Sequence, residues 1–224
     1  MSRRKQAALL VSGGLDSAIL LQELLKQGRR VYPIYVKSGH RWETAELYWL
    51  RRFLKSVKYV NLKPLVCLQL PTSDLYKRHW SQTGRNVPGP QSRDDEVYLP
   101  GKNILLIAKT SIYCALKKIP VLILGTLKTN SFPDASPRFF LEMGDAVSRG
   151  LHANLRVEVP LRRHTKKEVL ILGRDLPLAL TFSCLAPKNK RHCGRCNKCI
   201  ERKKAFRVAC LPDPTNYARP NRRG

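Results

Sequence analysis

The chain has 224 residues, enough to bury one sizeable core and to carry one small appendage. A hydrophobic fraction of 43% supports a globular protein, and 42 Lys plus Arg against 16 Asp plus Glu leave a net charge of +26. The start, MSRRKQAALLV, has only five apolar residues before a polar loop, too few for a signal-peptide core or a membrane span, so a cytoplasmic protein is expected.

In chain order, QAALLV (6–11) reads as a fully buried strand, 17–27 as a helix ending at Gly28, and RVYPIYV (30–36) as a second strand. A strand, helix, strand unit is the signature of a parallel sheet. ETAELYWLRRFLKSV (43–57) has helical apolar spacing, and PLVCLQL (64–70) reads as a third strand. Residues 71–100 turn polar and punctuated, too long for a plain connection and expected to be a functional or partly mobile loop. NILLIAKTSIYCALKK (103–118) predicts a long helix leading into the strand VLILG (121–125). A helix over 137–149, a short strand at 156–161 and a helix over 165–173, capped by Thr165 or His164, complete the alternation. The fold class expected is α/β, a doubly wound, Rossmann-like parallel sheet spanning 1–180. Residues 181–210 lose the alternation and predict a small metal-binding module, and 211–224 a basic tail that frays after about Pro212.

SGGLDS (12–17) stands between the first strand and the first helix. Two glycines let the backbone approach an anion, and the helix that follows offers unpaired N–H groups and a partial positive charge. Ser12 and Ser17 add hydroxyl donors. Asp16 would repel phosphate unless it binds Mg2+ or caps the helix. Neither GxxxxGK[ST] nor GxGxxG fits, and a Gly-Gly turn by itself is also an ordinary connection.

Four of seven cysteines, Cys184, Cys193, Cys196 and Cys199, follow the spacing Cx8CxxCxxC. Four thiolates suit a tetrahedral Zn2+, with an iron-sulfur cluster as the other reading. A closed four-sulfur site leaves no open position for catalysis, so its zinc is expected to hold the fold. His192 reads as a surface residue, Cys67 and Cys114 as buried and inert, and Cys210 has no assigned place. The basic residues from Lys188 to Arg207 offset part of the thiolate charge. The remaining charge faces RNA or simply water.

SGGLDS directly after the first strand resembles the PP-loop of the ATP pyrophosphatase superfamily. YLPGKNILLIAKTS (98–111), FPDASPRFF (132–140), VPLRRHTKKEVL (159–170) and TFSC followed by CGRCNKCIERKKAF then resemble, in order, the 7-cyano-7-deazaguanine synthases of the queuosine pathway. Carried over by position, the resemblance implies that Ser12, Gly13, Gly14, Leu15, Asp16 and Ser17 hold the pyrophosphate of ATP, with Asp16 near Mg2+. Lys102 and Asn103 would lie at the nucleotide and substrate side, Asp134 beside the purine-like substrate, and Lys166 on the phosphates. Plainer roles are a turn at Pro100-Gly101, a helix cap at Asp134 and a solvated first-turn lysine at Lys166.

The activity so implied is a zinc-containing, ATP-dependent ligase that turns 7-carboxy-7-deazaguanine and ammonia into the nitrile, with a homodimer as the assembly. PGKN in place of the family's PGRN, a shorter segment before Pro133-Asp134, and GHRWETAELYW (39–49) after the second strand all depart where the acceptor is recognised. Two other readings fit the same parts: a PP-loop enzyme that adenylates a base in tRNA or uses a related deazapurine with a different acceptor, or a zinc-ribbon RNA-binding protein on an idle nucleotide fold.

Overall fold

The computed structural model of the chain describes residues 6–218. Five strands, β1 (Gln6–Leu10), β2 (Arg30–Lys37), β3 (Val66–Gln69), β4 (Val121–Ile123) and β5 (Arg156–Glu158), form one parallel sheet in the order β3-β2-β1-β4-β5. The expected α/β architecture is the one observed.

Alternate side chains of the central strands feed two different cores, as a strand buried on both faces requires. Ala7, Leu9, Val31, Tyr35, Val121 and Ile123 face one way, against α1 (Leu15–Lys26), α2 (Glu43–Ser56) and α7 (Lys166–Leu172). Ala8, Ile34 and Leu122 face the other, against α5 (Lys102–Leu116) and α6 (Pro137–Gly150). Strand order reverses between β1 and β4, so the ends of these two strands open a crevice at the carboxyl edge of the sheet, where doubly wound folds bind their ligands.

The expected elements form, with shifts at their ends. Helix α1 begins at Leu15, two residues before 17, because the loop passes directly into the first turn. Strand β5 stops at Glu158, since Pro160 starts a 3-10 turn, Pro160–Arg163. Residues 71–100 hold two short helices, α3 (Ser73–Tyr76) and α4 (Trp80–Thr83), and a 3-10 turn at Asp94–Val97. Val97 and Leu99 are buried from this segment beside Trp42, Phe182 and the cysteines, with Tyr76 and Trp80 packed on them.

One long helix gave no sequence signal. Helix α8 (Asn197–Val208) buries Cys199, Arg202, Ala205 and Phe206, and the arginine inside this stripe hides its period. Arg202 is 1% exposed. Its guanidinium donates to Thr215 Oγ1 at 2.6 Å, Ser183 Oγ at 3.3 Å and the Leu178 carbonyl at 2.9 Å, so its charge is housed by an oxygen cage.

Three expectations are corrected. Cys67 is exposed, on the uncovered face of edge strand β3. His192 is buried: its Nε2 accepts from Ser183 N at 3.1 Å, and its ring lies 4.6 Å from Phe182. The segment after Pro212 stays ordered through Ala218, where Tyr217 donates to Asp213 Oδ2 at 2.6 Å and Ala218 N to the His192 carbonyl at 2.8 Å. The rest of the tail lies outside the described residues.

Gly173 ends α7 against α1. A Cβ there would stand 2.3 Å from Ile19 Cγ1, a contact with the core side of α1. Gly173→Ala is therefore expected to push the helices apart and to cost about 1–3 kcal/mol, read as a lower urea midpoint.

Candidate active site

The crevice is a cleft of 410 Å3. Its floor is the loop between β1 and α1. Gly14 caps α1 without a side-chain hydrogen bond, leaving first-turn N–H groups open to an anion. The loop's own serines fix its shape: Ser12 Oγ accepts from Gly14 N at 3.2 Å, and Ser17 Oγ donates to the Gly14 carbonyl at 3.2 Å. Ser12, Gly14, Leu15, Asp16 and Ser17 line the cleft. Gly13 does not; it turns with φ +77° against α2, where a Cβ would meet Leu50 Cβ at 3.2 Å, and its carbonyl accepts from Phe182 N at 2.7 Å. Its contribution is to the turn rather than to the wall.

Asp16 faces Lys166, the first residue of α7. Lys166 Nζ donates to both carboxylate oxygens, at 2.9 and 2.7 Å, and a capping box between Thr165 and Glu168 fixes the helix start that carries it. Burial pulls the Lys166 pKa down, but the Asp16 and Glu201 carboxylates outweigh it and hold it above the usual lysine value. The lysine is charged.

On the opposite wall, Gly101 takes the left-handed conformation (φ +74°) that lets the chain turn into α5. Asn103 N donates to Asp134 Oδ2 at 2.9 Å, and Asn103 Nδ2 donates to the Asp134 carbonyl at 2.8 Å. Asp134 thus caps α5, while α6 is capped by Ser136. Lys102 lines the same wall, with Nζ 6.0 Å from the Trp42 ring centroid and its pKa lowered by burial. A stack of aromatic rings closes the side: His40 lies on Trp42 at 4.7 Å, and Trp42 on Trp80 at 5.6 Å, and all three line the cleft.

The four cysteines come together at the cleft's rim. Their Sγ atoms all lie within 4.8 Å of one another, with 3.9 Å between Cys193 and Cys199 and between Cys184 and Cys196. A tetrahedron with metal–sulfur bonds of about 2.3 Å has its sulfurs roughly 3.8 Å apart, so the cluster could hold one Zn2+. A multi-iron cluster, with bridging sulfides between its metals, needs a wider cage. Cys193 N donates to Cys184 Sγ at 3.2 Å and Leu185 N to Cys196 Sγ at 3.4 Å, the kind of donors that stabilise thiolates.

A family model described as the queuosine biosynthesis protein QueC matches residues 6–210. The chain belongs to the QueC family. Among curated relatives of this QueC-family chain, a 7-cyano-7-deazaguanine synthase of Methanothermobacter thermautotrophicus is 28% identical, covering 95% of this chain and 99% of the relative. Another in Leptospira interrogans is 28% identical over 92% of this chain and 88% of its own length, and a third in Picrophilus torridus is 29% identical over 95% and 91%. Among solved structures, one described as a predicted subunit of a tRNA methyltransferase from Methanocaldococcus jannaschii superposes with a TM-score of 0.52 at 14% identity, covering 97% of this chain and 93% of that one. At that identity the likeness is one of fold. No helix among the described residues is long and apolar enough to cross a membrane.

Glu46, Lys198 and Glu201 also line the cleft of this QueC-family chain, and the sequence reading missed them. The signal for Glu46 was its place in the α2 stripe with Leu50 and Phe53, where an acid breaks an apolar run. Tyr35 Oη donates to Glu46 Oε2 at 2.7 Å, and no ion pair to this carboxylate exists among the described residues. Burial pushes its pKa up to about 7, against the pull of Tyr35 and Lys102. A carboxyl raised on folding binds its proton more tightly in the folded state, so its contribution falls as pH rises from about 4.5 to 7. Glu46→Gln is expected to remove that loss, gaining about 2 kcal/mol on wild type between pH 5 and pH 8 in paired urea titrations.

Proposed function

We propose that the chain makes 7-cyano-7-deazaguanine from 7-carboxy-7-deazaguanine, ammonia and ATP, in the cytoplasm. One observation carries the reading: Asp16 and Lys166 face each other at the open N-terminus of α1, in a cleft whose other wall is lined by stacked aromatic rings. An anion binds at one end and a flat heterocycle at the other.

The acceptor's carboxylate oxygen attacks the α-phosphorus of ATP, and the bond to the departing pyrophosphate breaks. Loop N–H groups and Lys166 hold the leaving charge, a positioning and electrostatic role. Ammonia then displaces AMP from the acyl carbon to give the amide. A second ATP activates the amide oxygen, and loss of that oxygen with AMP leaves the nitrile. Asp16 would hold Mg2+, which would neutralise phosphate charge, and the four cysteines would hold Zn2+ as a fixed support. The His40–Trp42–Trp80 stack offers an aromatic wall for the base, Lys102 a cation for its carboxylate, and Asp134, held by Asn103, an edge for its polar groups.

The test is incubation with ATP, Mg2+, ammonium and 7-carboxy-7-deazaguanine, followed by mass spectrometry. The expected products are the nitrile with two AMP and two pyrophosphate for each molecule formed. AMP and pyrophosphate without nitrile would assign the activation chemistry to another acceptor, tRNA among them. Absence of ATP cleavage under all conditions would leave the idle-fold reading standing.

A further inference from the structure

Four alternating charges link the phosphate loop to the cysteine-bearing helix. Asp16 accepts from Lys166 Nζ at 2.7 Å, Lys166 Nζ lies 3.6 Å from Glu201 Oε1, and Lys198 Nζ donates to Glu201 Oε2 at 2.6 Å. One carboxylate is thereby shared between two ammonium groups. Lys198 and Glu201 lie early in α8, whose N-cap is Cys196 and whose first turn carries Cys199. Two of the four clustered sulfurs therefore anchor the stretch that brings Lys198 into the cleft. A second tether joins these parts, because Phe182 N, two residues before Cys184, donates to the Gly13 carbonyl at 2.7 Å.

We propose that Lys198 binds the phosphates of ATP beside Lys166, with Glu201 as the positioning residue that sets the spacing of the two ammonium groups. An i,i+3 pair of Lys and Glu is common on any helix and by itself marks no site. Here the same Glu201 carboxylate turns its second oxygen to Lys166, and both residues of the pair line the cleft. Donor counting separates the two lysines. Lys166 spends two donors on the Asp16 oxygens and keeps one, 3.6 Å from Glu201, whereas Lys198 has two N–H groups beyond its bond to Glu201. ATP brings about four negative charges, more than one lysine offsets, and a second cation held at a fixed distance meets that need without new ordering cost. The helix with the metal-binding cysteines thus becomes part of the nucleotide site.

This assignment rests on the loop of residues 12–17 being the triphosphate cradle, and the experiment separates the two. A non-hydrolysable ATP analogue with Mg2+ is titrated calorimetrically into wild type, Lys198→Ala, Lys198→Arg and Glu201→Gln, each checked for metal content and melting temperature. Expected is binding by wild type, a loss of about 10-fold or more in Lys198→Ala, near-complete rescue in Lys198→Arg, and an intermediate loss in Glu201→Gln, with metal and melting unchanged. In turnover, the KM for ATP should rise in Lys198→Ala while the KM for the carboxylate acceptor holds. Wild-type affinity in Lys198→Ala, or an effect confined to the acceptor KM, overturns the role of Lys198 alone. Failure of wild type to bind the analogue overturns the cradle, and the proposal with it.

Discussion

Asp16→Asn is expected to lower ATP-dependent pyrophosphate release by about 100- to 1,000-fold while leaving the unfolding midpoint nearly unchanged. The two halves of this expectation come from different properties of one contact. Asp16 and Lys166 are 25% and 22% exposed at their side chains, so water still reaches the pair, and in Asp16→Asn the Glu201 carboxylate 3.6 Å away leaves Lys166 a counter-charge, which holds the cost to about 1 kcal/mol. The amide keeps the size and shape of the carboxylate but holds no charge to bind a divalent cation or to orient Lys166 Nζ. Lys166→Ala should match it in rate, because each residue is placed by the other. Ser17→Ala is also expected to stop pyrophosphate release, but it is a less clean probe. Its hydroxyl donates to the Gly14 carbonyl and accepts from Ser12 N at 3.3 Å, so the loop's shape changes along with its donors. Pyrophosphate release and urea unfolding measured on the same preparations decide the matter. Near-wild-type release in both Asp16→Asn and Lys166→Ala would remove the loop from the chemistry.

Sequence carried the sheet because two-faced burial leaves a plain record: AALLV and VLILG are apolar throughout, and glycine marks the turns that follow. It carried the glycine turn on the cleft floor and the grouping of the four cysteines because spacing along the chain encodes their geometry. Glu46, Lys198 and Glu201 were hidden for the opposite reason. Each is an ordinary charged residue on a helix, and only the packing of α2 and α8 around the loop turns it inward. Helix α8 itself escaped notice because Arg202 occupies a core position, and the Ser183, Leu178 and Thr215 oxygens that make this tolerable arrive from elsewhere in the chain. The polar segment 71–100 showed its length but not which of its residues matter. Trp80, Val97 and Leu99 are scattered among prolines and charges, so no period reveals that they wall the cleft.

Cys196→Ser is expected to abolish metal binding and to lower the melting temperature by about 10–20 °C, a larger effect on stability than that of any active-site substitution above. Wild type should carry close to one zinc per chain by elemental analysis. The cost is large because the cluster pins three stretches of chain to one another at a single point in the buried core beside Trp42 and Phe182. Cys184 follows the strand-like stretch bonded to Gly13, Cys193 and Cys196 form the turn, and Cys199 sits on α8, whose Phe206 and Ala205 pack into the core shared with α1. A sulfur replaced by a hydroxyl leaves three ligands, and loss of the ion leaves three buried cysteines within 4.8 Å of one another without the bonds that held them together, so the start of α8 loses that anchor. Because α8 also carries Lys198 and Glu201, nucleotide affinity should fall together with the metal. That coupling is what separates a structural ion beside the active site from one in a remote appendage. Visible absorbance from bound iron would overturn the choice of metal, and an unaltered melting temperature in Cys196→Ser would overturn the cluster's role in holding the fold.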